Sequence, residues 1–430
     1  MRIRLNGHEI ECAGGATWEQ LLGELPAAEL ARQPLGVSVQ GRTFSLAELA
    51  EGGADARVIT YADSEGRRIY ERSLQFLFLA ALKREYPEAR ARFEHSYGHG
   101  LFTQITGAQA SAAMARRVEQ QMRRLVEEDQ PFEASDATKG EAIDYFAKTG
   151  QTGKVRLLKY RSFDNFHFYR MDGMLDYFYG KMVPSTGYLK VFAVSFYLPG
   201  LVLRLPEPAR PDRPAPLKDS PKLMRTYAES ARWNDILGCT NVADLNDMIV
   251  RRQFREFIRI SEALQERTVQ RIADQFASSE ARLICIAGPS SSGKTTFAHR
   301  LLLALRVLGM KPTKVSVDDY YLNRDQIPVG EDGQRDFERM DTLDVELLND
   351  HLVRLLQGEE IEAPEFDFVN GVRSEKTHRM RVPDSEPVLI EGIHALNDAL
   401  VPSVPRDMKF LFRSDAGEGL EPVRKVSSSV

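Results

Sequence analysis

A glycine-rich segment carries the strongest chemical signal in this sequence. Residues 288–295 read Gly-Pro-Ser-Ser-Ser-Gly-Lys-Thr, the complete Walker A spacing of a phosphate-binding loop. An apolar run, residues 283–287, precedes the loop, and residues 295–308 follow it with apolar side chains at helical spacing. In this strand, loop and helix order, backbone N–H groups bind phosphate, Lys294 reaches the β- and γ-phosphates, and Thr295 offers a hydroxyl to Mg²⁺. The sequence therefore predicts a nucleotide site with ATP and Mg²⁺ as cofactors.

Two acidic residues follow further apolar runs, at the strand ends where open α/β sheets bind their ligands. Asp318 comes directly after residues 314–317, and Glu391 comes directly after residues 388–390. Asp318 is suited to accept the proton of an attacking hydroxyl; the alternative is an acid that caps a helix or a turn. Glu391 occupies the place from which proteins with this loop hold Mg²⁺ or its water shell.

The composition indicates a folded protein of several domains. At about 100–200 residues per domain, 430 residues predict two to four domains. With 43% hydrophobic and 28% charged residues, the chain does not belong to the disordered, collagenous or membrane classes. The formal net charge of -5 gives no nucleic-acid signature by itself, but it leaves a local basic face and RNA binding open.

Cysteine spacing and the lack of a long apolar stretch predict a cytoplasmic protein. Cys12, Cys239 and Cys285 lie far apart, so we expect reduced thiols rather than disulfides or a zinc site. No apolar segment follows the first positive residues, so a secretory signal is not expected. The longest uncharged apolar stretch, residues 191–203, is shorter than the ~20 residues of a membrane helix.

Local patterns divide the chain ahead of the phosphate loop. Residues 1–62 alternate apolar runs with glycine turns around one helix, residues 17–25, which Thr17 caps with Gln20. Residues 72–86 have helical periodicity. The proline-rich segment 206–221 predicts a semi-rigid connection without helix or sheet pairing, and residues 246–278 predict one or two linking helices.

The amino-terminal half resembles parts of threonyl-tRNA synthetases. Residues 1–62 resemble a TGS domain, and residues 95–190 resemble the second synthetase domain, which in that family edits mischarged tRNA. In the segment His95-Ser96-Tyr97-Gly98-His99, two imidazoles four residues apart would share a helix face and bind a metal or a substrate; the alternative is a pair of surface histidines. Phe178 and Met182 stand where the family has Cys and His. We therefore expect the fold without zinc binding or editing.

Residues 282–410 resemble the uridine kinase and phosphoribulokinase family through three segments, GPSSSGKTTFA, DDYY and EGIHALN. The resemblance implies Lys294 and Asp318 as catalytic residues, with Asp318 as the base, and Thr295 and Glu391 at Mg²⁺. It implies nucleotide contacts from Gly288, Pro289, Ser290, Ser291, Ser292, Gly293, Lys294, Thr295 and Thr296. It places the acceptor against Asp318, Tyr320, Glu338, Phe366 and Arg373.

The acceptor segments differ from those of uridine kinases. Glu338 replaces the ribose-binding Asp, so sugar contact is expected through a longer side chain. Phe366 and Gly371 lack the hydroxyl and the imidazole found there in uridine kinases. A site without these partners cannot use them to discriminate a pyrimidine edge.

The whole order resembles bacterial uridine kinase-related fusion proteins. It predicts an α/β multidomain chain with a β-grasp N-terminal domain, an α+β synthetase-like domain and a P-loop kinase domain built on a doubly wound parallel sheet. The expected boundaries are 1–62, 63–205, a connection with linking helices at 206–280, a kinase domain at 281–413, and an irregular tail at 414–430. The tail has no apolar periodicity for an Arg-rich lid, so the kinase domain resembles a truncated one that binds ATP and transfers phosphate poorly.

Two functions follow from these patterns. The first is an ATP-dependent kinase that transfers the γ-phosphate to a hydroxyl of a nucleoside or sugar. The alternative is an ATP-binding regulator without kinase turnover, which contacts RNA, tRNA or the ribosome through residues 1–205. No membrane partner is expected, and the absence of an Asn-Lys-x-Asp segment argues against a GTPase.

Overall fold

The computed structural model describes residues 1–327, 329, 335–383, 385–415 and 418–422. The chain divides into two compact units, Met1–Asp219 and Ser220–Val430. Within the described residues, no helix is both long enough and apolar enough to cross a membrane.

The first unit begins with a five-stranded sheet and one short helix. Its elements are β1 (Arg2–Leu5), β2 (His8–Glu11), α1 (Trp18–Leu22), β3 (Pro34–Val39), β4 (Arg42–Phe44) and β5 (Asp55–Thr60). The strand order is β2-β1-β5-β3-β4, with β1 and β5 parallel. The Thr17 hydroxyl accepts from the Gln20 amide and the Gln20 side chain accepts from the Thr17 amide, so the predicted cap is confirmed. The assignment as a TGS-type β-grasp stays a prediction.

A longer α/β region completes the first unit. Its elements are α2 (Ser64–Glu85), β6 (Arg90–Ser96), β7 (Gly100–Thr106), α3 (Ala112–Glu127), β8 (Glu133–Thr138), α4 (Lys139–Lys148), α5 (Thr152–Lys159), β9 (Asn165–Met171), β10 (Met174–Tyr177), β11 (Ala193–Tyr197), β12 (Gly200–Arg204), β13 (Pro206–Glu207) and β14 (Arg210–Pro214). The strands of this region form two larger antiparallel sheets, β11-β12-β7-β6 and β10-β9-β8. α2 starts earlier than the periodicity predicted because Ile69 and Tyr70 also pack into the core.

The two histidines of residues 95–99 do not share a helix, so that prediction is wrong. His95 lies in β6, and His99 lies in the turn to β7, which the Tyr97 amide closes on the Gly100 carbonyl at 2.8 Å. The His95 ring stacks on Phe102 with 5.2 Å between ring centroids. A spacing of four residues fits a helix, but strand pairing across the hairpin decides the conformation here.

The proline-rich segment also departs from its prediction, because β13 and β14 pair antiparallel and a helix starts at Pro221. Pro206 lies opposite Pro214, and Glu207 lies opposite Arg210. These prolines therefore lie in a separate two-stranded sheet, where both strands are edge strands that tolerate proline. Pro221 stands in the first helical turn, where a missing N–H costs nothing.

The second unit combines α-helices with a mainly parallel sheet. Its elements are α6 (Pro221–Leu237), α7 (Val242–Val250), α8 (Phe254–Ala277), β15 (Leu283–Ala287), α9 (Lys294–Val307), β16 (Thr313–Ser316), α10 (Val345–Leu356), β17 (Glu360–Asp367), β18 (Val372–Arg381), β19 (Val388–Glu391), β20 (Lys409–Asp415) and β21 (Glu418–Pro422). The strand order is β16-β19-β15-β20-β21, and the first four strands are parallel. β17 and β18 form a separate hairpin.

Helices cover both faces of this sheet. α8 and α9 pack on one face, where Phe297 stacks on Phe412 at 4.5 Å between ring centroids. α10 contributes Leu348, Leu352 and Leu355 to the core that contains Cys285 and Ile390 on the other face. The strands are continuous apolar runs because both faces are buried.

The predicted irregular tail is partly wrong. β20 extends to Asp415, and β21 pairs with it antiparallel, with Phe412 opposite Pro422. The tail was predicted to be irregular because it lacks apolar periodicity, but backbone pairing to an existing sheet edge does not require such periodicity. Residues 416–417 and 423–430 lie outside the described residues.

Candidate active site

The phosphate loop connects the central strand of the sheet to a helix. β15 is buried throughout, and α9 begins at Lys294. Within the loop, the Ser292 amide donates to the Pro289 carbonyl at 3.2 Å, and Ser291 and Gly293 have left-handed φ values of 60° and 79°. No neighbouring atom would obstruct a Cβ at Gly293, so the backbone conformation, rather than space, favours glycine there.

The Lys294 side chain folds back onto the loop that the sequence predicts to bind phosphate. Its Nζ donates to the Pro289 carbonyl at 2.9 Å. The ammonium group is therefore held beside the backbone amides of the loop and the N-terminus of α9. Positive charge, helix dipole and backbone donors converge at this point, as a polyphosphate requires.

Thr295 and Glu391, predicted as the two Mg²⁺ residues, are in contact. The Thr295 hydroxyl lies 3.1 Å from each carboxylate oxygen of Glu391. Glu391 ends β19, which lies between β15 and β16, so its carboxylate reaches the start of α9 from the neighbouring strand. The hydroxyl and carboxylate oxygens are hard ligands of the kind that Mg²⁺ prefers, and this ion usually keeps several waters and substrate phosphates as its other ligands. These residues therefore fit an Mg²⁺ ion bound together with ATP.

Sequence reasoning missed Lys314 at this point. Its Nζ lies 2.6 Å from Oε1 of Glu391, whose side chain is only 8% exposed. In the parallel pairing of β16 and β19, Ser316 lies opposite Glu391, and Lys314 is two residues earlier on the same face. A lysine inside a short apolar strand was the available signal, but its partner depends on which strands are neighbours.

Gly392 brings the end of β19 against the residue that precedes Asp318. A Cβ at Gly392 would lie 2.8 Å from the Cβ of Val317, which is closer than such contacts allow. The Gly392 amide also donates to the Ile286 carbonyl at 3.1 Å. This close packing fixes the spacing between the segments that carry Glu391 and Asp318.

Asp318 lies in a short 3₁₀ turn, Val317–Tyr320, after β16. Burial raises the pKa of its carboxyl, the charge of Lys294 partly offsets that rise, and the charge of Glu391 adds to it. Asp318 is therefore within electrostatic reach of both the phosphate-loop lysine and the predicted metal acid. The structure brings together all four residues predicted for catalysis and metal binding.

The predicted acceptor role of Tyr320 is wrong. Its side chain is 1% exposed in the core, and its hydroxyl bonds to Nδ1 of His351 at 3.0 Å. The next residue, Tyr321, packs against Phe366 at 5.7 Å and Phe368 at 6.3 Å between ring centroids. Burial, assisted by the charges of Asp318 and Glu338, raises the pKa of Tyr321 to about 12. Tyr321, rather than Tyr320, therefore lies on the side of Asp318 and Glu338.

Arg373 is engaged by the protein instead of being open to an acceptor, which corrects its predicted role. Its Nη1 lies 3.1 Å from Oδ2 of Asp344. Its Nη2 donates to the carbonyls of Tyr320 and Tyr321 at 3.4 and 3.3 Å. Arg373 therefore fixes the turn that carries Asp318, and acts on the site through that turn.

Glu338 and Phe366 both act on Tyr321, which follows the turn of Asp318, Glu338 through its charge and Phe366 through ring packing. Glu338 is exposed, its carbonyl accepts from Nε2 of His394 at 2.7 Å, and its charge acts on Tyr321. The Phe366 ring packs against Phe368 at 5.0 Å between centroids. Together Tyr321, Phe366 and Phe368 form an aromatic cluster beside Asp318, and Phe368 is 55% exposed.

In the synthetase-like region, Phe178 and Met182 are packing residues. The Phe178 ring lies 5.3 Å from that of Phe76, and Met182 is fully buried. In the part of the chain that the structure describes, no group of three or more His, Cys, Asp or Glu side chains is placed to hold a metal ion.

Comparisons with known proteins separate the two ends of the chain. Residues 283–426 match the family described as "Phosphoribulokinase / Uridine kinase family". The match covers about a third of the chain. It contains the phosphate loop, Asp318, Glu391 and the aromatic cluster described above.

The amino-terminal region is similar to part of threonine–tRNA ligases. The ligase of Carboxydothermus hydrogenoformans is 30% identical over 165 residues, which are 38% of this chain and 26% of the relative. The ligase of Desulforamulus reducens is 28% identical over 163 residues, 37% of this chain and 26% of the relative. The chain thus spans about a quarter of the length of these curated relatives.

Solved structures are similar over about a third of the chain. A possible uridine kinase from Bacillus stearothermophilus has 24% identity and a TM-score of 0.29, covering 34% of this chain and 78% of that one. D-glycerate 3-kinase from Cryptococcus neoformans has 20% identity and a TM-score of 0.24, covering 31% of this chain and 52% of that one.

Proposed function

We propose that the second unit transfers the γ-phosphate of MgATP to a hydroxyl group of a nucleoside or a similar sugar. The observation that carries this proposal is the contact of Glu391 with Thr295 at the start of the phosphate-loop helix, with Asp318 within electrostatic reach of Lys294 at the same edge of a parallel sheet. A hydrolytic enzyme has to position only water, whereas this edge also carries aromatic side chains next to the turn of Asp318 that could contact an acceptor. The domain family and its aromatic cluster support a phosphotransferase.

The chain's own residues account for the chemical steps. Loop amides and Lys294 bind the β- and γ-phosphates and hold the γ-phosphoryl group in place. Thr295 and Glu391 would hold Mg²⁺, which, when bound, neutralises charge on the phosphates. Asp318 accepts the proton from the acceptor hydroxyl as the hydroxyl oxygen attacks the γ-phosphorus, while the bond between the γ-phosphorus and the β,γ-bridging oxygen breaks and ADP leaves. The raised pKa of Asp318 makes its carboxylate a stronger base than an exposed aspartate.

The surroundings of Asp318 favour an acceptor that combines a flat ring with hydroxyl groups. Tyr321, Phe366 and Phe368 offer aromatic surface for stacking. The Glu338 carboxylate can accept hydrogen bonds from sugar hydroxyls. Because Arg373 is paired with Asp344, it does not offer a free cation to a sugar phosphate. A nucleoside therefore suits the site better than a phosphorylated sugar.

Two measurements on the full chain test this function. MgATP at about 100 times its dissociation constant should stabilise wild-type protein by about 2.7 kcal/mol, and Lys294→Ala should abolish that gain. Lys311→Ala, at an exposed lysine after α9, is the matched control and should retain it. A screen of nucleosides and sugars should then give an ATP-dependent phosphorylated product with wild-type protein and none with Asp318→Asn. Binding without any product in the screen would contradict the transferase assignment.

A second candidate is an ATP-binding regulator that contacts RNA through residues 1–205. The similarity of the amino-terminal region to threonine–tRNA ligases favours it. Filter binding of tRNA to the full chain, with and without MgATP, tests this alternative. Nucleotide-dependent tRNA binding together with absent phosphotransfer would favour the regulator over the kinase.

We also propose that the synthetase-like region neither binds zinc nor edits tRNA. Phe178 and Met182 pack where a thiolate and an imidazole would be needed. Metal analysis of purified protein should find no stoichiometric zinc. Zinc that is lost in His95→Ala, or deacylation of mischarged tRNA, would overturn this proposal.

A further inference from the structure

Lys314 is a partly buried lysine on β16, the edge strand of the sheet, and it has no role in the proposed transfer step. It forms an ion pair with the carboxylate that would face Mg²⁺. We propose that Lys314 is a positioning residue that holds Glu391 in place before metal arrives and weakens the affinity of the site for Mg²⁺. This inference rests on the function proposed above.

The contact follows from the register of two neighbouring strands. In β16 and β19, Lys314 lies opposite Leu389, and Ser316 lies opposite Glu391. Lys314 and Glu391 are thus diagonal neighbours on one face of the sheet, and the long lysine side chain spans the offset. Its side chain is 23% exposed and that of Glu391 is 8% exposed, so the pair is only weakly screened by solvent.

The partners of Glu391 show why Lys314 would oppose Mg²⁺. Oε1 of Glu391 is shared by the Lys314 ammonium and the Thr295 hydroxyl, and among the residues that the structure describes Oε2 is bonded by Thr295 alone. A metal ion between Thr295 and Glu391 would therefore approach an oxygen that already carries a cation. Two cations repel each other across a shared carboxylate, so the metal must overcome the charge of Lys314.

Local charge balance supports the same conclusion. The charges that act on Asp318 at this edge come from Lys294 and Lys314 on one side and from Glu391 and Asp319 on the other. With Asp318 itself, the group holds two lysines and three carboxylates. Removing Lys314 would leave a more negative site, which would attract Mg²⁺ more strongly. Even at the dielectric constant of water, which gives a lower limit for a weakly screened charge, a unit charge about 6 Å from a divalent ion changes its affinity about tenfold.

The test is a Mg²⁺ titration of nucleotide binding by the full chain, with the non-hydrolysable analogue AMP-PNP and calorimetric detection. Lys314→Met removes the charge at similar length, Lys314→Gln removes the charge but keeps a hydrogen-bond donor, and Lys314→Arg keeps the charge. Lys311→Met at the exposed lysine is the matched control. We expect both neutral variants to lower the half-maximal Mg²⁺ concentration about tenfold or more. Lys314→Arg and Lys311→Met should stay within about twofold of wild type.

The outcomes separate this inference from the function beneath it. If wild-type protein binds no AMP-PNP at any Mg²⁺ concentration, the proposed function fails. If wild type binds and the neutral variants leave the Mg²⁺ midpoint unchanged or raise it, the role of Lys314 is overturned. An equal shift in Lys314→Arg would also overturn it, because the effect would then come from packing rather than charge. Should Lys314→Met fail to fold, Lys314→Gln supplies the neutral measurement.

Discussion

Replacing Gly392 with alanine tests how the two acids of the site are held apart. The added Cβ would lie 2.8 Å from Cβ of Val317 and 3.2 and 3.3 Å from its two Cγ atoms. Carbon atoms in contact prefer about 3.5–4.0 Å, so the chain must move by roughly 1 Å. Val317 is 2% exposed and β-branched, so its side chain has little freedom to turn away. Backbone displacement must therefore relieve the contact.

The size of the effect follows from where these residues stand. Overpacking of this kind costs about 1–3 kcal/mol of unfolding free energy. Gly392 follows Glu391, and Val317 precedes Asp318, so the displacement separates the predicted metal acid from the predicted base. A misplacement of about 1 Å can cost about a hundredfold in rate. We expect Gly392→Ala to lose both stability and MgATP-dependent stabilisation.

A double-mutant cycle provides the assay. Urea unfolding of wild type, Gly392→Ala, Val317→Gly and the double variant gives the coupling free energy between the two positions. Because Val317→Gly removes the nearest obstructing atom, the double variant should be more stable than the sum of the single losses by about 1 kcal/mol or more. Gly140→Ala is the matched control, since no atom lies within 4 Å of its added Cβ. It should change stability by no more than about 1 kcal/mol, in the stabilising direction.

Two results would refute this reasoning. One is a Gly392→Ala variant whose unfolding free energy and MgATP response both match wild type. The other is strict additivity in the cycle, which would mean that the methyl group and Val317 do not meet. Either would show that another contact sets the distance between the acids.

Three other changes have defined outcomes. Phe412→Ala should lower the unfolding free energy by about 3–5 kcal/mol in urea denaturation, because the ring is fully buried and stacks on an aromatic ring of α9; a loss under about 1 kcal/mol would contradict that packing. Burial raises the pKa of the Cys285 thiol to about 12, so at pH 8 a thiol reagent should modify Cys12 and Cys239 and reach Cys285 only after unfolding; equal labelling rates for all three would contradict its burial. Burial raises the pKa of Asp318 above its ordinary value, so the folded state binds this proton more tightly and loses stability as the pH rises through the folded pKa. In urea denaturation, Asp318→Asn should therefore be more stable than wild type at pH 7, and its unfolding free energy should fall less than that of wild type as the pH rises above about 4. A variant less stable than wild type at pH 7 would show that the carboxylate is favourably paired.

The sequence alone was sufficient to predict structure where the residues that carry the pattern are contiguous in the chain. The phosphate loop, the strand before it and the helix after it were predicted together, because their order along the chain is also their order in space. The contact between Thr295 and Glu391 agrees with the sequence prediction although 95 residues separate them in the chain. The carboxyl ends of parallel strands meet at one sheet edge, so strand pattern and a terminal acid were enough.

Tertiary structure decided which side chain of a local pair faces the site. Tyr320 and Tyr321 are identical in type and adjacent in sequence, and the turn after β16 directs Tyr320 into the core and Tyr321 toward Asp318. In the same way, strand pairing rather than residue spacing placed His95 and His99 in a hairpin. Local spacing is compatible with several conformations, and packing selects among them.

The roles of Lys314 and Arg373 depend entirely on long-range neighbours. Lys314 meets Glu391 only because β19 is inserted between β15 and β16, a strand order that the sequence does not encode locally. Arg373 is withdrawn from the acceptor by Asp344 and by two carbonyls of the turn. The residue types of the site were thus readable from the sequence. Their ion pairs were not, because a charge pairs with whichever group the fold brings within a few ångströms, and that choice is made by strand order and packing.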